Sequence, residues 1–336
     1  MTDHAASIVS DVRVLFGPGL RRTIRDEVAR LGCRRALILS TPQQSNAAMD
    51  IAETLGAQAA GVFARATMHT PVEISEEATA YLRETKADCV VAIGGGSTTG
   101  LGKAIALRTD IPQIVIPTTY AGSEATPILG QTENGVKTTL TDARVLPEVI
   151  LYDPELVTSL PVDMTVTSAL NAIAHAAEAL YATNRSAASD RLAIDGMTSF
   201  ARSLPAVIAA PDDVSAREDT LRGAYACGAV LGMVGMALHH KLCHTLGGAL
   251  NLPHADTHAI ILPHAIAYNA RAVPDLVAPI SDIFGGDTPG TALHAFARAM
   301  DAPMALRDIG VGEHQLDHVA DLATQKPYPN PAPVTR

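Results

Sequence analysis

Asn171 and His175 lie four residues apart, the spacing that puts two side chains on one face of a helix. Downstream, six of the chain's twelve histidines crowd residues 239–264: His239, His240, His244, His254, His258 and His264. Within that stretch His240 and His244 again share a helical face, and His254 follows fourteen residues after His240, across a loop containing Pro253. Imidazoles at such spacings ligate zinc and iron, and they also donate hydrogen bonds and transfer protons near neutral pH. Position 171, where a metal site would be expected to hold a carboxylate, carries a neutral amide. Histidines buried on apolar helices without partners would be costly, so the cluster is read as surrounding a metal or a reacting anion. His4, His69, His294, His314 and His318 stand apart and are read as ordinary core or surface residues.

A second group of residues has the chemistry of phosphate binding. In Val90-Val91-Ala92-Ile93-Gly94-Gly95-Gly96-Ser97 a buried strand runs into three glycines and then a helix through Lys103. Glycines let backbone approach a pyrophosphate closely, and a helix amino end offers free N–H groups with a favourable dipole. Pro117-Thr118-Thr119-Tyr120-Ala121-Gly122-Ser123-Glu124 follows the next strand and brings the hydroxyls of Thr118, Thr119 and Ser123 to the same sheet edge, where open sheets bind ligands. The bland alternatives are a tight strand-to-helix turn and an ST-turn with a helix cap, and the glycines do not follow the GxGxxG fingerprint. After the second strand comes Ser40-Thr41-Pro42, with no Asp or Glu. A carboxylate there would bind a ribose 2′-hydroxyl and repel a 2′-phosphate, so weak discrimination between NADH and NADPH is predicted.

The elements that must position these residues can be read from hydrophobic periodicity. Val12–Phe16, Ala36–Leu39, Gly61–Phe63, Cys89–Ile93 and Ile114–Ile116 read as strands, alternating with helical stretches at 43–55 and 74–85 and after Gly96. Residues 137–151 suggest a short hairpin around Thr141-Asp142. Continuously apolar strands alternating with helices indicate a parallel, doubly wound α/β sheet. From Pro154–Pro161, read as a linker with one helical turn, the strand signal fades, and helices are predicted at 163–182, 186–208, 213–233, 236–250 and 290–301. The longest apolar run, Gly228–Leu238, reads as buried helix, and the Pro-rich end, Pro327–Pro333, as an irregular tail. This divides the chain into an α/β Rossmann-like domain over 1–155, a dinucleotide-binding candidate, and an all-α substrate or catalytic domain over 156–336.

Composition agrees with two domains: 336 residues exceed what one core usually organises. With 47% hydrophobic and 18% charged residues and no bilayer-length apolar run, a soluble enzyme is expected. The amino terminus, Met-Thr-Asp-His, has neither the basic start nor the apolar stretch of a signal peptide, and the four scattered cysteines fit reduced, buried thiols, so a cytoplasmic setting is expected. A net charge of −10 without a basic run excludes nucleic acid and anionic membranes as partners. A small-molecule substrate is expected instead.

Across nearly its whole length the chain resembles the iron-containing, or group III, alcohol dehydrogenases, and within them the maleylacetate reductases. The resemblance rests on Gly94-Gly95-Gly96-Ser97 with Lys103, Pro117-Thr118-Thr119 with Gly122-Ser123-Glu124, Asn171-Ala-Ile-Ala-His175-Ala-Ala-Glu178, His240-Lys-Leu-Cys-His244-Thr-Leu-Gly247, and Pro253-His254 with Leu262-Pro263 and Asn269. It implies an amino-terminal Rossmann-like domain, a helical carboxyl-terminal domain, NADH or NADPH in the cleft, and a homodimer. It also implies cofactor contacts at Ser40, Thr41, Gly94, Gly95, Gly96, Ser97, Thr118, Thr119 and Ser123. Metal-dependent members of that family bind iron or zinc through an Asp and three His, which fall at Asn171, His175, His240 and His254. The missing carboxylate, Gly100 in place of the usual Asp after GGGS, and Ala255 in place of the usual Gly are similar to the maleylacetate reductases, which work without a required metal.

The implied reaction reduces the carbon–carbon double bond of maleylacetate to 3-oxoadipate in the breakdown of aromatic compounds of the resorcinol, hydroxyquinol and chlorocatechol type. The substrate is thus a small dicarboxylate. His244 is expected to be the general acid nearest the cofactor, with His175, His240 and His254 on carboxylate or enolate oxygens and Asn171 donating an amide hydrogen bond. Lys241 diverges from His240 on the helix and is not placed in the site. The competing readings are a metal-dependent alcohol or polyol dehydrogenase, disfavoured by Asn171, and a lyase resembling dehydroquinate synthase, disfavoured because residues 236–270 contain a single basic side chain of the Lys/Arg type, Lys241. A non-catalytic nucleotide-binding protein would not need clustered titratable groups. In relatives a final helix follows the region Pro331–Arg336, so a truncated carboxyl terminus is also expected.

Overall fold

The computed structural model describes residues 12–326 and 328–336; the readings of Met1–His4 and of Pro327 fall outside them. Strands β1 (Arg13–Phe16), β2 (Ala36–Leu39), β3 (Ala59–Phe63), β4 (Cys89–Gly94), β5 (Gln113–Pro117) and β8 (Val149–Tyr152) form one parallel sheet in the order β1-β8-β5-β4-β2-β3. The intervening helices are α1 (Ile24–Arg30), α2 (Ser45–Leu55), α3 (Val72–Thr85) and α4 (Gly96–Thr109). Side chains alternate between the two faces of the sheet. Ile38, Val91, Ile93 and Ile114 pack with Ile24, Val28, Ile51 and Leu55, whereas Leu37, Leu39, Val90 and Val115 pack with Ala78, Leu82, Leu101 and Ile105. Both faces are therefore buried, which explains why these strands read as unbroken apolar runs.

One expectation fails here. The hairpin is not at 137–151 but is formed by β6 (Ile128–Glu133) and β7 (Val136–Thr141), turning at Asn134-Gly135, both with positive φ. Val149–Tyr152 leaves it and enters the main sheet between β1 and β5. A two-residue Asn-Gly turn favours a hairpin more than Thr141-Asp142 does, and Asp142 instead caps a short 3-10 turn at Ala143–Val145.

The chain folds as two compact units. One takes the chain up to Thr119 and again Ser123–Thr158; the other takes Tyr120–Gly122 and Ser159–Arg336. Helices α5 (Val162–Ala179), α6 (Ala187–Ala209), α7 (Val214–Met233), α8 (Leu238–Leu250), α9 (His254–Ala270), α10 (Pro274–Phe284), α11 (Pro289–Ala299) and α12 (Glu313–Thr324) build the second unit. Tyr120–Gly122 joins it through a close approach: a Cβ on Gly122 would lie 2.7 Å from the Cα of Gly228. Gly228–Leu238 is not one helix, for α7 ends at Met233, α8 begins at Leu238, and the two are bent by 95°. Helices α9, α10 and α12 escaped the periodicity reading, because α9 carries internal polar and prolyl residues and is buried over most of its length. Among the described residues no single helix is long and apolar enough to cross a membrane.

Candidate active site

In the second unit α5 supplies Asn171, His175 and Glu178, at positions i, i+4 and i+7 of a helix buried from Thr165 to Ala179. Glu178 sets the geometry. The break before α8 leaves that helix's first N–H groups without intrahelical acceptors. The Glu178 carboxylate takes two of them, from Ala237 at 2.9 Å and His239 at 2.7 Å, and accepts from the Tyr181 hydroxyl at 3.3 Å. A carboxylate at a helix amino end is also favoured by the dipole. Its Oε2 lies 2.7 Å from His240 Nδ1, which places the proton of a neutral His240 on Nδ1 and turns Nε2 toward the interior as an acceptor. That Nε2 is buried without a partner among the described residues.

The other rings gather around it. His175 and His258 stand 5.1 Å from the His240 ring by centroid, His239 5.0 Å and His244 5.9 Å, while His254 lies 4.2 Å from His258. His239 Nε2 donates to the His258 carbonyl at 3.1 Å, so His239 is a structural member. Asn171 Oδ1, His175 Nδ1 and both ring nitrogens of His258 are buried and unpartnered among the described residues. Burial, reinforced by neighbouring imidazoles, drives His175, His240 and His258 well below the usual histidine range and brings His239 down to about 4. Burial also raises the Glu178 carboxyl, against the opposing pull of His239 and three backbone N–H groups. At neutral pH the interior rings are therefore uncharged. His244 and His254 are exposed at the margin, and His244 Nδ1 lies 3.1 Å from the Tyr328 hydroxyl.

The irregular tail is fastened to this site. Asn330 exchanges amide hydrogen bonds with Asn269 at 2.8 and 2.7 Å, and its Oδ1 accepts from the Leu238 N–H at 3.3 Å. Thus the rings of His175, His240, His244 and His254 lie in one cluster with His258, Asn171 sits one turn before His175 on α5 with its Oδ1 buried, and His264 is exposed and contributes nothing to the cluster. Glu178, His239 and His258 had no role assigned from sequence. A carboxylate one turn beyond His175 on the same helical face was the available signal for Glu178. Lys241 lies over the ring of Tyr328, 5.8 Å from its centroid, the residue whose hydroxyl meets His244.

An iron(II) ion can be tested against this donor set. Asn171, His175 and His240 present unpartnered donors, but all are neutral, and the nearest carboxylate, Glu178, sits behind His240 with its oxygens already engaged. A buried divalent ion would keep its charge uncompensated, so the set fits the metal poorly.

In the first unit, β4 ends at Gly94 with φ +154°, where a Cβ would come 2.4 Å from Thr98 Oγ1; at Gly95 it would lie 2.8 Å from Thr119. Gly96, the first residue of α4, has open space in front of it. This is a cradle that any side chain at Gly94 or Gly95 would fill, at a helix amino end suited to phosphate. The hydroxyls of Ser40, Thr98 and Ser123 are buried there without partners among the described residues, and Gln44 donates to Thr118 Oγ1 at 2.7 Å. The residues present thus fit a dinucleotide. Lys103 does not face it: its fully buried ammonium donates to the carbonyls of Ser123, Thr126 and Ile128 at 2.5, 2.7 and 2.9 Å and holds that loop in place. Gly100 has its own reason, since a Cβ there would meet Thr70 Oγ1 at 2.3 Å.

Known proteins share the sequence and fold of this chain over nearly its whole length. Residues 11–154 match the profile of iron-containing alcohol dehydrogenase, and residues 165–336 match that of the Fe-containing alcohol dehydrogenase family, C-terminal. Maleylacetate reductase from Rhizobium sp. (strain MTP-10005) is 57% identical over 324 residues, 96% of this chain and 92% of the relative. The crystal structure of maleylacetate reductase from Agrobacterium tumefaciens superimposes with a TM-score of 0.95 at 55% identity, covering 100% of this chain and 95% of that one. An iron-containing alcohol dehydrogenase from Corynebacterium glutamicum gives 0.92 at 38% identity, covering 100% and 93%.

Proposed function

The chain belongs to the iron-containing alcohol dehydrogenase family, and from that premise we propose that it is an NAD(P)H-dependent maleylacetate reductase working without a required metal. The observation that carries the reading is the neutral donor set: an amide and buried, uncharged imidazoles where a metal-dependent dehydrogenase would need an anionic ligand. An alcohol needs a Lewis acid to lower its pKa before hydride leaves, whereas an alkene conjugated to a ketone accepts hydride at carbon and needs its enolate oxygen stabilised.

The glycine cradle and the hydroxyls of Ser40, Thr41, Ser97, Thr118, Thr119 and Ser123 would hold the dinucleotide. NADH or NADPH bound there supplies the hydride. The histidine cluster holds the substrate's carboxylate and enolate oxygens through Asn171, His175, His240 and His254. His240 offers an acceptor nitrogen, so binding an anionic oxygen requires a second proton on Nε2, and the Glu178 carboxylate behind Nδ1 stabilises the resulting imidazolium, as an aspartate does behind a catalytic histidine. His244, exposed at the margin beside the Tyr328 hydroxyl, delivers the proton that completes 3-oxoadipate.

With no acidic side chain at Ser40-Thr41, both NADH and NADPH are accepted. Four free, buried cysteines support a reducing, cytoplasmic setting. The exposed strand β7, with Val136 and Leu140 outward, supports a homodimer. The deciding experiment follows NADH and NADPH oxidation with maleylacetate after exhaustive chelation, beside a metal assay of the same sample. Turnover undiminished without metal is expected. Turnover that returns only with added iron or zinc would overturn the metal-free mechanism and favour an alcohol dehydrogenase.

A further inference from the structure

At the carboxyl ends of β2 and β3 the first unit carries a cavity of about 450 Å³ that includes Thr41, Arg65, Thr67 and Ser97 in its wall. The two strand ends are laced together: the Ser40 N–H donates to the Phe63 carbonyl at 3.2 Å, and the Ala66 N–H to the Ser40 carbonyl at 3.0 Å. Those bonds fix Arg65 beside Ser40-Thr41, and Ser40 Oγ is fully buried there without a partner among the described residues. Of the eight residues lining the cavity, Arg65 alone is charged. Its guanidinium stacks over Phe63, 5.7 Å from the ring centroid, and Nη1 is bonded to Glu77 of α3. Nε and Nη2 keep no protein partner among the described residues.

We propose that Arg65, with the hydroxyls of Thr41 and Thr67, is the seat of the adenosine 2′-phosphate of NADPH, and that Glu77 moderates it by competing for the same guanidinium. The inference rests on the nicotinamide reading above and adds to it a named determinant of cofactor choice. A fork of N–H donors matches phosphate oxygens, and the ring beneath keeps the fork flat and pre-positioned. NADH has a hydroxyl in that place and gains little from the guanidinium. Because the group is partly exposed, salt weakens its hold.

The test titrates full-length protein with NADPH and with NADH, without substrate, following the fluorescence of the reduced nicotinamide. Arg65→Ala is expected to raise the Kd for NADPH about tenfold, the size of one charge-assisted phosphate contact, while the NADH value moves much less. Glu77→Gln is expected to lower the Kd for NADPH, and rising salt to weaken NADPH more steeply than NADH. Equal losses for the two nucleotides in Arg65→Ala, or no loss for NADPH, would overturn the assignment and leave the nicotinamide reading intact. Wild-type protein that binds neither nucleotide would overturn both.

Discussion

The glycine edge of the first unit and the histidine cluster of the second solve opposite problems. Gly94, Gly95 and Gly96 work by what they lack: no Cβ fills the cradle, and on the proposed reading backbone N–H groups with a few hydroxyls would do the binding. The cluster works by crowding. Four imidazoles are buried within a few ångströms of one another, held neutral by burial and mutual repulsion, with a single carboxylate fixing one of them. A ligand that brings its own charge suits the first arrangement, whereas the second can take up charge as the reaction creates it. The first region should therefore be indifferent to mild acid and sensitive to added volume, and the second the reverse.

Acid gives the largest separation. A buried His239 that titrates near 4, against about 6.5 when unfolded, contributes stability present above pH 6.5 and lost as pH falls toward 4. That single ring is worth about 3 kcal/mol across the window. His175, His240 and His258 act in the same direction, while the raised Glu178 carboxyl opposes them more weakly. Hydrogen exchange resolved by segment, followed from pH 7 to pH 4.5, should show α5, α8 and α9 losing protection before β2, β4 and β5. Simultaneous loss in both units would break the contrast.

Glu178→Ala comes next. It strips acceptors from Ala237, His239 and His240 in a dry interior, and about 3 kcal/mol of stability should go with it in a urea titration. Glu178→Gln keeps one oxygen and should recover part of the stability but little of the turnover, since an amide cannot support an imidazolium. Equal turnover in the two variants would show that Glu178 only packs.

The smallest effect belongs to Gly94→Ala. With φ at +154° and Thr98 Oγ1 2.4 Å from the new Cβ, about 1–3 kcal/mol of strain is expected. NADH affinity should fall about tenfold while the acid profile of the histidine unit stays put. Unchanged affinity would mean that the cradle is a turn and not a binding surface.

How much of this could be read in advance follows from where the information lies. Strands such as Ala36–Leu39 and the helix-spaced pair Asn171 and His175 are local patterns, visible in windows of a few residues, and so are the glycines after Cys89–Ile93. The sequence by itself thus determined the alternating α/β half, the helical half, the glycine edge and most of the histidine site. Tertiary packing alone decided that Val149–Tyr152 enters the sheet between β1 and β5, because strand pairing depends on which neighbours bury both faces. Packing also broke the apolar run Gly228–Leu238 into two helices and thereby exposed the N–H groups that Glu178 accepts. It turned His258 inward and His264 outward, although both sit on α9, since side chains six residues apart on a helix point about 120° apart. A residue type names what a side chain could do; only the neighbours brought from elsewhere in the chain leave it with an unmet hydrogen bond to do it with.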